Sequence, residues 1–339
     1  MQTKKRSQSE FEGKLIDVHS HIGVSMKAYG RMEFPYAQSI EDLRYRQISS
    51  QVDINVVFPF SPDLHFSLTD LIKNGEIKKS DVPLSPVPYG TENTLLMREI
   101  FEYCPELSDH FIPFVSVDPG REIDEQMQNL SHLNEEYPIY GLKIVGVACQ
   151  SKVTNLLSES SVFLDFAEGN NIPILFHTTS TKDDEYSYAA DVLTVAQKRP
   201  GIRCCLAHCI LFHKNFLNIA NALPNVWVDT AAIKIQIDLV QDCINNGMQK
   251  QDIIDTNFSD YRQVMRDICQ MYPDTILWGT DSPAYTYYSL RKQGASNYRT
   301  FAYKGTYEDE VNALRSLPTN LQKKVGGKNT LDFLFGKKK

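Results

Sequence analysis

Leu15-Ile16-Asp17-Val18-His19-Ser20-His21 is an apolar run that ends in two histidines one residue apart. Its length and composition are those of a buried strand. Side chains along a strand alternate faces, so His19 and His21 point to the same side. Two imidazoles on one face at a strand end make half of a metal site, because neutral imidazole is a common ligand of divalent transition metals. The other half must come from elsewhere in the chain. His177, His208 and Asp281 are placed to supply it.

Seven more short apolar runs follow, at 52–58, 112–117, 140–145, 172–176, 202–207, 226–229 and 275–278. With 15–19 they make eight. They read as near-continuous apolar stretches rather than alternations, as parallel strands buried on both faces do. Amphipathic segments at 40–50, 93–103, 122–135, 161–169, 186–197, 214–222, 261–271 and 307–314 have helical character. Eight strands, each followed by a helix, predict an α/β fold, a single (β/α)8 TIM-barrel domain over 1–339 with an ordered core about 13–336. The length of 339 residues suits such a barrel with insertions. An open doubly wound sheet is the alternative. Against it, no G-x-G-x-x-G follows the first strand and no Walker A motif occurs.

Three long βα loops exceed a minimal barrel. Segment 61–90 carries Pro62, Pro83, Pro86 and Pro88, segment 234–259 holds a further helical stretch, and segment 282–306 is rich in tyrosine. Each follows a strand, so each belongs over the C-terminal mouth, where barrel active sites lie. They read as substrate walls or lids, or alternatively as excursions for oligomer contacts.

Hydrophobic residues make up 42% of the chain, enough for a large core. The net charge of −7, with no basic stripe, argues against a nucleic-acid partner. No run approaches a membrane span and the N-terminus lacks an apolar leader. Seven scattered cysteines form no C-x-x-C pair and read as reduced thiols, consistent with a cytoplasmic protein.

The polar groups at strand ends form an ordered set. Strand one ends in His19 and His21, strand five runs Ile172 to Phe176 and then His177, and strand six ends at Ala207 and then His208. Strand eight leads through Trp278, Gly279 and Thr280 to Asp281. Each alone has an ordinary explanation, as a hydrogen-bonded polar residue, a cap or a turn. In a barrel all five converge at one mouth. Imidazole nitrogens with a carboxylate oxygen suit one divalent ion, zinc first, with manganese or iron as alternatives, and leave a position open for water or substrate.

These residues resemble a known family, the amidohydrolase superfamily and within it the amidohydrolase-2 branch. That branch includes aminocarboxymuconate-semialdehyde decarboxylase-like enzymes and metal-dependent hydrolases. The resemblance rests on Asp17-x-His19-x-His21, on Pro173 to His177, on Ala207-His208, on Gly279 to Pro283, and on the closing run Asn329 to Phe335. It implies His19, His21, His177 and Asp281 as metal ligands. It implies that Asp281 also takes the proton from water and that His208 holds or polarises the substrate. Some relatives carry a carbamylated lysine on the fourth strand that bridges two metals, but this branch generally uses one metal without it. Lys143 therefore reads either as a substrate-facing cation or as an interior structural lysine that needs a partner. Arg31 and Tyr285 are further candidates for an anionic substrate. His65 reads as a surface or lid residue.

The implied activity is a metal-bound hydroxide attacking an ester, lactone or amide carbonyl of a small molecule. The alternative is metal-dependent, non-oxidative decarboxylation of an aromatic or unsaturated acid, which calls for an arginine near the metal. Arg31 and Arg291 are the loop arginines on the mouth side, and neither lies in a diagnostic motif. A third reading, a barrel that only binds, leaves the complete ligand set without a purpose. A homodimer is implied by analogy alone.

Overall fold

The computed structural model describes residues 4–181, 183–293 and 297–336. Eight parallel strands form one sheet: β1 (Ile16–Val24), β2 (Ile54–Pro59), β3 (Phe111–Ser116), β4 (Gly141–Ile144), β5 (Ile174–Phe176), β6 (Cys204–Leu206), β7 (Val226–Asp229) and β8 (Ile276–Leu277). They pair in sequence order from β1 to β8. The last strand then meets the first. The Val18 N–H donates to Trp278 O at 3.1 Å, Asp281 N–H to His19 O at 2.8 Å, and His21 N–H to Ser282 O at 2.7 Å. These bonds close the sheet into a barrel.

The helices that follow the strands are α1 (Ile40–Ser50), α2 (Gly90–Arg98), α3 (Ile123–Glu136), α4 (Ser161–Gly169), α5 (Ala189–Lys198), α6 (Lys214–Ala222), α7 (Tyr261–Met271) and α8 (Tyr307–Arg315). Local sequence explains their limits. Ser39 and Asp42 form a reciprocal capping box at the start of α1. In α7, Asp260 caps the first turn, and Val264, Met265, Ile268 and Cys269 make one buried stripe. Strand residues facing outward pack on these helices. Those facing inward form a second core of Ile16, Val18, Ile54, Val56, Phe58, Phe114, Leu175 and Trp227. Phe11 and the closing helix Asn329–Phe335, through Leu331, Phe333 and Leu334, join this inner core at the N-terminal end of the barrel.

The structure departs from the sequence expectation in three places. First, β5, β6 and β8 hold only two or three residues. The residues beyond them, His177, His208 and Asp281, leave the regular ladder. Second, β1 runs beyond its histidines to Val24, and its end pairs antiparallel with Ala37–Gln38. Third, segment 282–306 is a hairpin of β9 (Tyr287–Gln293) and β10 (Asn297–Tyr303). It pairs with Glu33–Phe34 through Tyr288↔Phe34 and Ser289↔Glu33. The hairpin joins the loop after β8 to the loop after β1, a long-range pairing that tyrosine content alone does not reveal. Segment 61–90 contributes a short helix, Leu68–Lys73, and the segment after β7 a longer one, Ile233–Asn245.

A bulge in β1 sets which way the histidines face. Asp17 pairs with Asn55 but Ser20 with Val57, so three residues of β1 advance against two of β2. Strict alternation would place His19 and His21 on the face opposite Ile16 and Val18. The bulge turns Val18 and His19 both inward, which lets an apolar pattern below and an imidazole pair above share the barrel interior. Among the described residues no helix is long and apolar enough to cross a membrane.

Candidate metal centre

The seam between β1 and β8 builds the centre of the mouth. His19 Nε2 lies 3.3 Å and His21 Nε2 3.1 Å from Asp281 Oδ1. Ligand atoms of these three residues all lie within 4.8 Å of one another. His208 stands beside them, with Nδ1 4.0 Å from Asp281 Oδ2 and its ring 5.1 Å from that of His19. His177 is reached through His208, whose Nε2 lies 3.0 Å from His177 Nδ1. His177 is thus at the same mouth but outside the compact trio. Lys143 is buried on β4 with Nζ 3.2 Å from His19 Nε2 and 4.4 Å from the centre of the Phe58 ring.

Two carboxylates organise the seam from behind. Asp17 has no solvent exposure and accepts from five donors. These are His19 N at 3.0 Å, Ser20 Oγ at 3.1 Å, Asn55 Nδ2 at 2.6 Å, Thr280 N at 2.9 Å and Thr280 Oγ1 at 2.6 Å. It ties β1, β2 and the end of β8 together. Asp229 closes β7 and faces His19 Nδ1 at 2.9 Å. Its other oxygen accepts from the backbone of His208 at 2.9 Å and of Ala231 at 3.1 Å. Gln38 completes the frame, donating to His21 O at 2.8 Å and accepting from Ser282 Oγ at 2.9 Å.

The backbone at the mouth is unusual. Asp281 has φ +62°, and His208 through Phe212 run in succession at φ +65°, +50°, +51°, +48° and +58°. Non-glycine residues pay for left-handed backbone with roughly 1–2 kcal/mol each, and such conformations gather at functional sites.

Charge and burial act against each other here. Burial and then the Lys143 ammonium push the His19 imidazolium down, but the carboxylates of Asp229 and Asp281 outweigh them and raise it. Burial holds His21 below the usual histidine range, His208 at about 4, and His177 well below. Burial opposes ionisation of Asp281 and Asp229, yet the neighbouring histidines hold Asp281 well below the usual carboxylate range, and His19 first among them brings Asp229 to about 2. Burial lowers Lys143 to about 8. Asp281 Oδ1 is buried without a hydrogen-bond partner, directly between two imidazole nitrogens. A lone carboxylate oxygen and two imidazole nitrogens converging in a buried space fit a divalent cation, since nitrogen and oxygen donors in that combination are what such an ion binds.

Other sequence candidates lie elsewhere. Arg31 is half-exposed and its Nε lies 3.6 Å from Glu33. The Tyr285 ring packs against Tyr307 and beneath the Arg46 guanidinium. The side chain of Arg291 lies outside the described residues. His65 is fully buried rather than on the surface, with Nδ1 3.0 Å from Ser85 O and Nε2 3.2 Å from Glu122. Loop 61–90 folds back on itself, which explains the burial. Asp229 escaped the sequence reading, although it carries the same signal as the rest, a polar residue where an apolar run stops.

A family model described as amidohydrolase matches residues 83–336, a span that includes His177, His208 and Asp281. No curated protein sequence matches the chain. Among solved structures, the chain is similar to a probable 2-pyrone-4,6-dicarboxylic acid hydrolase from Acinetobacter baumannii, at 14% identity and TM-score 0.55 over 96% of this chain and 100% of that one. It is similar to an amidohydrolase from Burkholderia multivorans with bound zinc, at 11% identity and TM-score 0.58 over 95% and 99%. A third likeness is to 5-carboxyvanillate decarboxylase from Sphingomonas paucimobilis, at 11% identity and TM-score 0.54 over 95% and 98%. At these identities the likenesses carry the barrel fold alone. The family match, spanning well over half of the sequence, carries more: the chain belongs to the amidohydrolase-2 family.

Proposed function

We propose that the chain is a metal-dependent hydrolase of an ester, lactone or amide bond in a small molecule. The observation that carries this reading is the unpartnered Asp281 Oδ1 between His19 Nε2 and His21 Nε2. These three groups would hold the ion, zinc first, with His177 as the further ligand on the same mouth. A divalent metal bound there polarises a carbonyl and brings the pKa of water towards ~7. Asp281 is the proton acceptor for the attacking water, because its carboxylate stays ionised and reaches the mouth with Oδ2 beside His208. His208, braced through Asp229 and His177, orients the substrate carbonyl. The inner core beneath and the loops above keep bulk water from the reacting atoms.

Lys143 gives a second reading its footing. A buried ammonium beside His19 would hold a substrate carboxylate. A decarboxylase uses such a group, and one of the similar structures is named as a decarboxylase. A panel of esters, lactones and aromatic acids, followed for acid release and for carbon dioxide, separates the two.

Elemental analysis before and after chelation tests the foundation, with about one zinc, manganese or iron per chain expected. No metal, and none taken up on soaking, would overturn it. Asp281→Asn is expected to retain much of its metal while turnover falls by roughly 10²–10⁴-fold. Wild-type turnover in that variant would remove Asp281 from the proton transfer.

A further inference from the structure

We infer that the foot of the barrel carries a second binding site, for a small organic acid that joins an anionic group to a compact apolar body. A cavity of about 580 Å3 opens at the N-terminal end, away from the mouth. Cavities of roughly 300–1,000 Å3 are the size that takes small molecules. Its walls are the lead-in to β1 at 12–15, the end of α8 at 314–315 and the chain over 322–332.

The local sequence explains why the space is there. Lys324-Val325-Gly326-Gly327-Lys328 forms a π-helical turn, wider than an α-helical one and of a kind that recurs at functional sites. Its two glycines let the backbone come close to the lead-in to β1. A Cβ on Gly326 would lie 2.6 Å from Leu15 Cδ1, and one on Gly327 3.3 Å from Lys14 O. Two residues of the wall thus bring no side chain, and Leu15, Leu314 and Leu331 give the cavity an apolar floor.

The rim is cationic. Lys14, Arg315, Lys323 and Lys328 stand around the floor against the carboxylates of Glu12 and Asp332, on a chain whose net charge is −7. Asp332 is already taken, by Lys328 at 2.9 Å. Lys14 and Lys323 have no ion-pair partner among the described residues. Arg315 gives one N–H to Ser50 O at 2.6 Å, and a guanidinium has others to offer. A free inorganic anion gains nothing from the leucines, and a neutral hydrocarbon gains nothing from the cations. An acid with apolar surface to bury uses both.

The cavity is also tied to the seam. Lys14 and Leu15 lead into β1, and Val325 O within the π-helical turn accepts the Trp278 N–H just after β8 at 3.0 Å. A bound acid therefore stands beneath the two strands whose far ends carry His19, His21 and Asp281, and it stabilises the barrel by mass action. This site requires no metal at the mouth.

Octanoate is the probe, with 1-octanol and inorganic phosphate as controls, on the full chain treated with chelator. Saturable calorimetric binding of one octanoate per chain is expected, with a thermal midpoint that climbs with its concentration and far weaker responses to the controls. Lys14 and Lys323 are both exposed, so reversing them leaves the core untouched. Lys14→Glu combined with Lys323→Glu is expected to weaken octanoate binding by roughly tenfold. A diazirine-bearing octanoate, photolysed on the wild type, is expected to label peptides that contain Leu15 or lie within 322–332. No binding at millimolar octanoate would overturn the inference. So would label confined to peptides of the mouth, undiminished affinity in the double variant, or an equal response to 1-octanol or phosphate.

Discussion

At the scale of single residues, five polar groups stand where apolar runs stop. A buried polar side chain must find a partner, and that requirement made His19, His21, His177, His208 and Asp281 legible from sequence. Replacing both His19 and His21 with Ala is expected to abolish metal binding, measured by elemental analysis. Full metal content in that double variant would place the site elsewhere. Asp229 carries the same signal, a polar residue where an apolar run stops, but the signal does not name its partner. Its meaning comes from His19, 210 positions away, and nothing local to Val226–Asp229 announces that contact. Lys143 is an interior lysine whose Nζ lies 3.2 Å from His19 Nε2.

At the scale of elements, the strand ends are held at close quarters. Gly279 lies where β8 passes β1, and a Cβ there would sit 2.9 Å from His19 Cβ and 3.3 Å from Val18 Cγ1. Gly279→Ala is therefore expected to push β1 and His19 outward, costing about 1–3 kcal/mol. A lowered thermal midpoint together with weaker zinc binding would support this, and a wild-type midpoint would refute it. The loop after β2 offers a pH test away from the histidines. Glu92 on α2 accepts the Leu64 N–H at 3.1 Å, and its other oxygen is buried without a partner. Burial raises its carboxyl to about 7 from an ordinary value of 4.5. The fold thus keeps a proton that the unfolded chain releases first. Stability from the neutral form is complete below pH 4.5 and is lost as pH rises through 7, by up to roughly 3 kcal/mol. Glu92→Gln is expected to remove that slope in urea unfolding between pH 5 and 8. Parallel profiles for the two proteins would count against it.

At the scale of the whole molecule, the candidate centre coincides with the seam that closes the barrel. The first strand supplies His19 and His21, and the segment after the last supplies Asp281, whose backbone also bonds to His19. Asp17 and Gln38 cross the same seam. A cation held there would bind the two ends of the sheet together. Metal removal is accordingly expected to lower the unfolding midpoint, and resupply at a hundred times the dissociation constant to restore about 2.7 kcal/mol. Equal midpoints with and without chelator would show that the ion, if bound, does not brace the seam.

Eight strands, the helices between them and the polar groups at the strand ends are legible in the amino-acid sequence. Apolar periodicity and the need to satisfy buried polar groups are properties that each segment carries alone. Helices 40–50, 161–169, 214–222 and 261–271 have the limits read from the sequence, because an apolar stripe is local to its segment, and Ser39 and Asp260 cap the first and last of them. The remaining features come from long-range contacts. The β1 bulge exists through its register with β2 and turns the histidines inward. The β9–β10 hairpin finds its partner strand more than 250 residues earlier, at Glu33–Phe34. Asp229 acquires its role from a ring on another strand. These features arise from distant parts of the chain meeting, and no single stretch of sequence encodes a meeting.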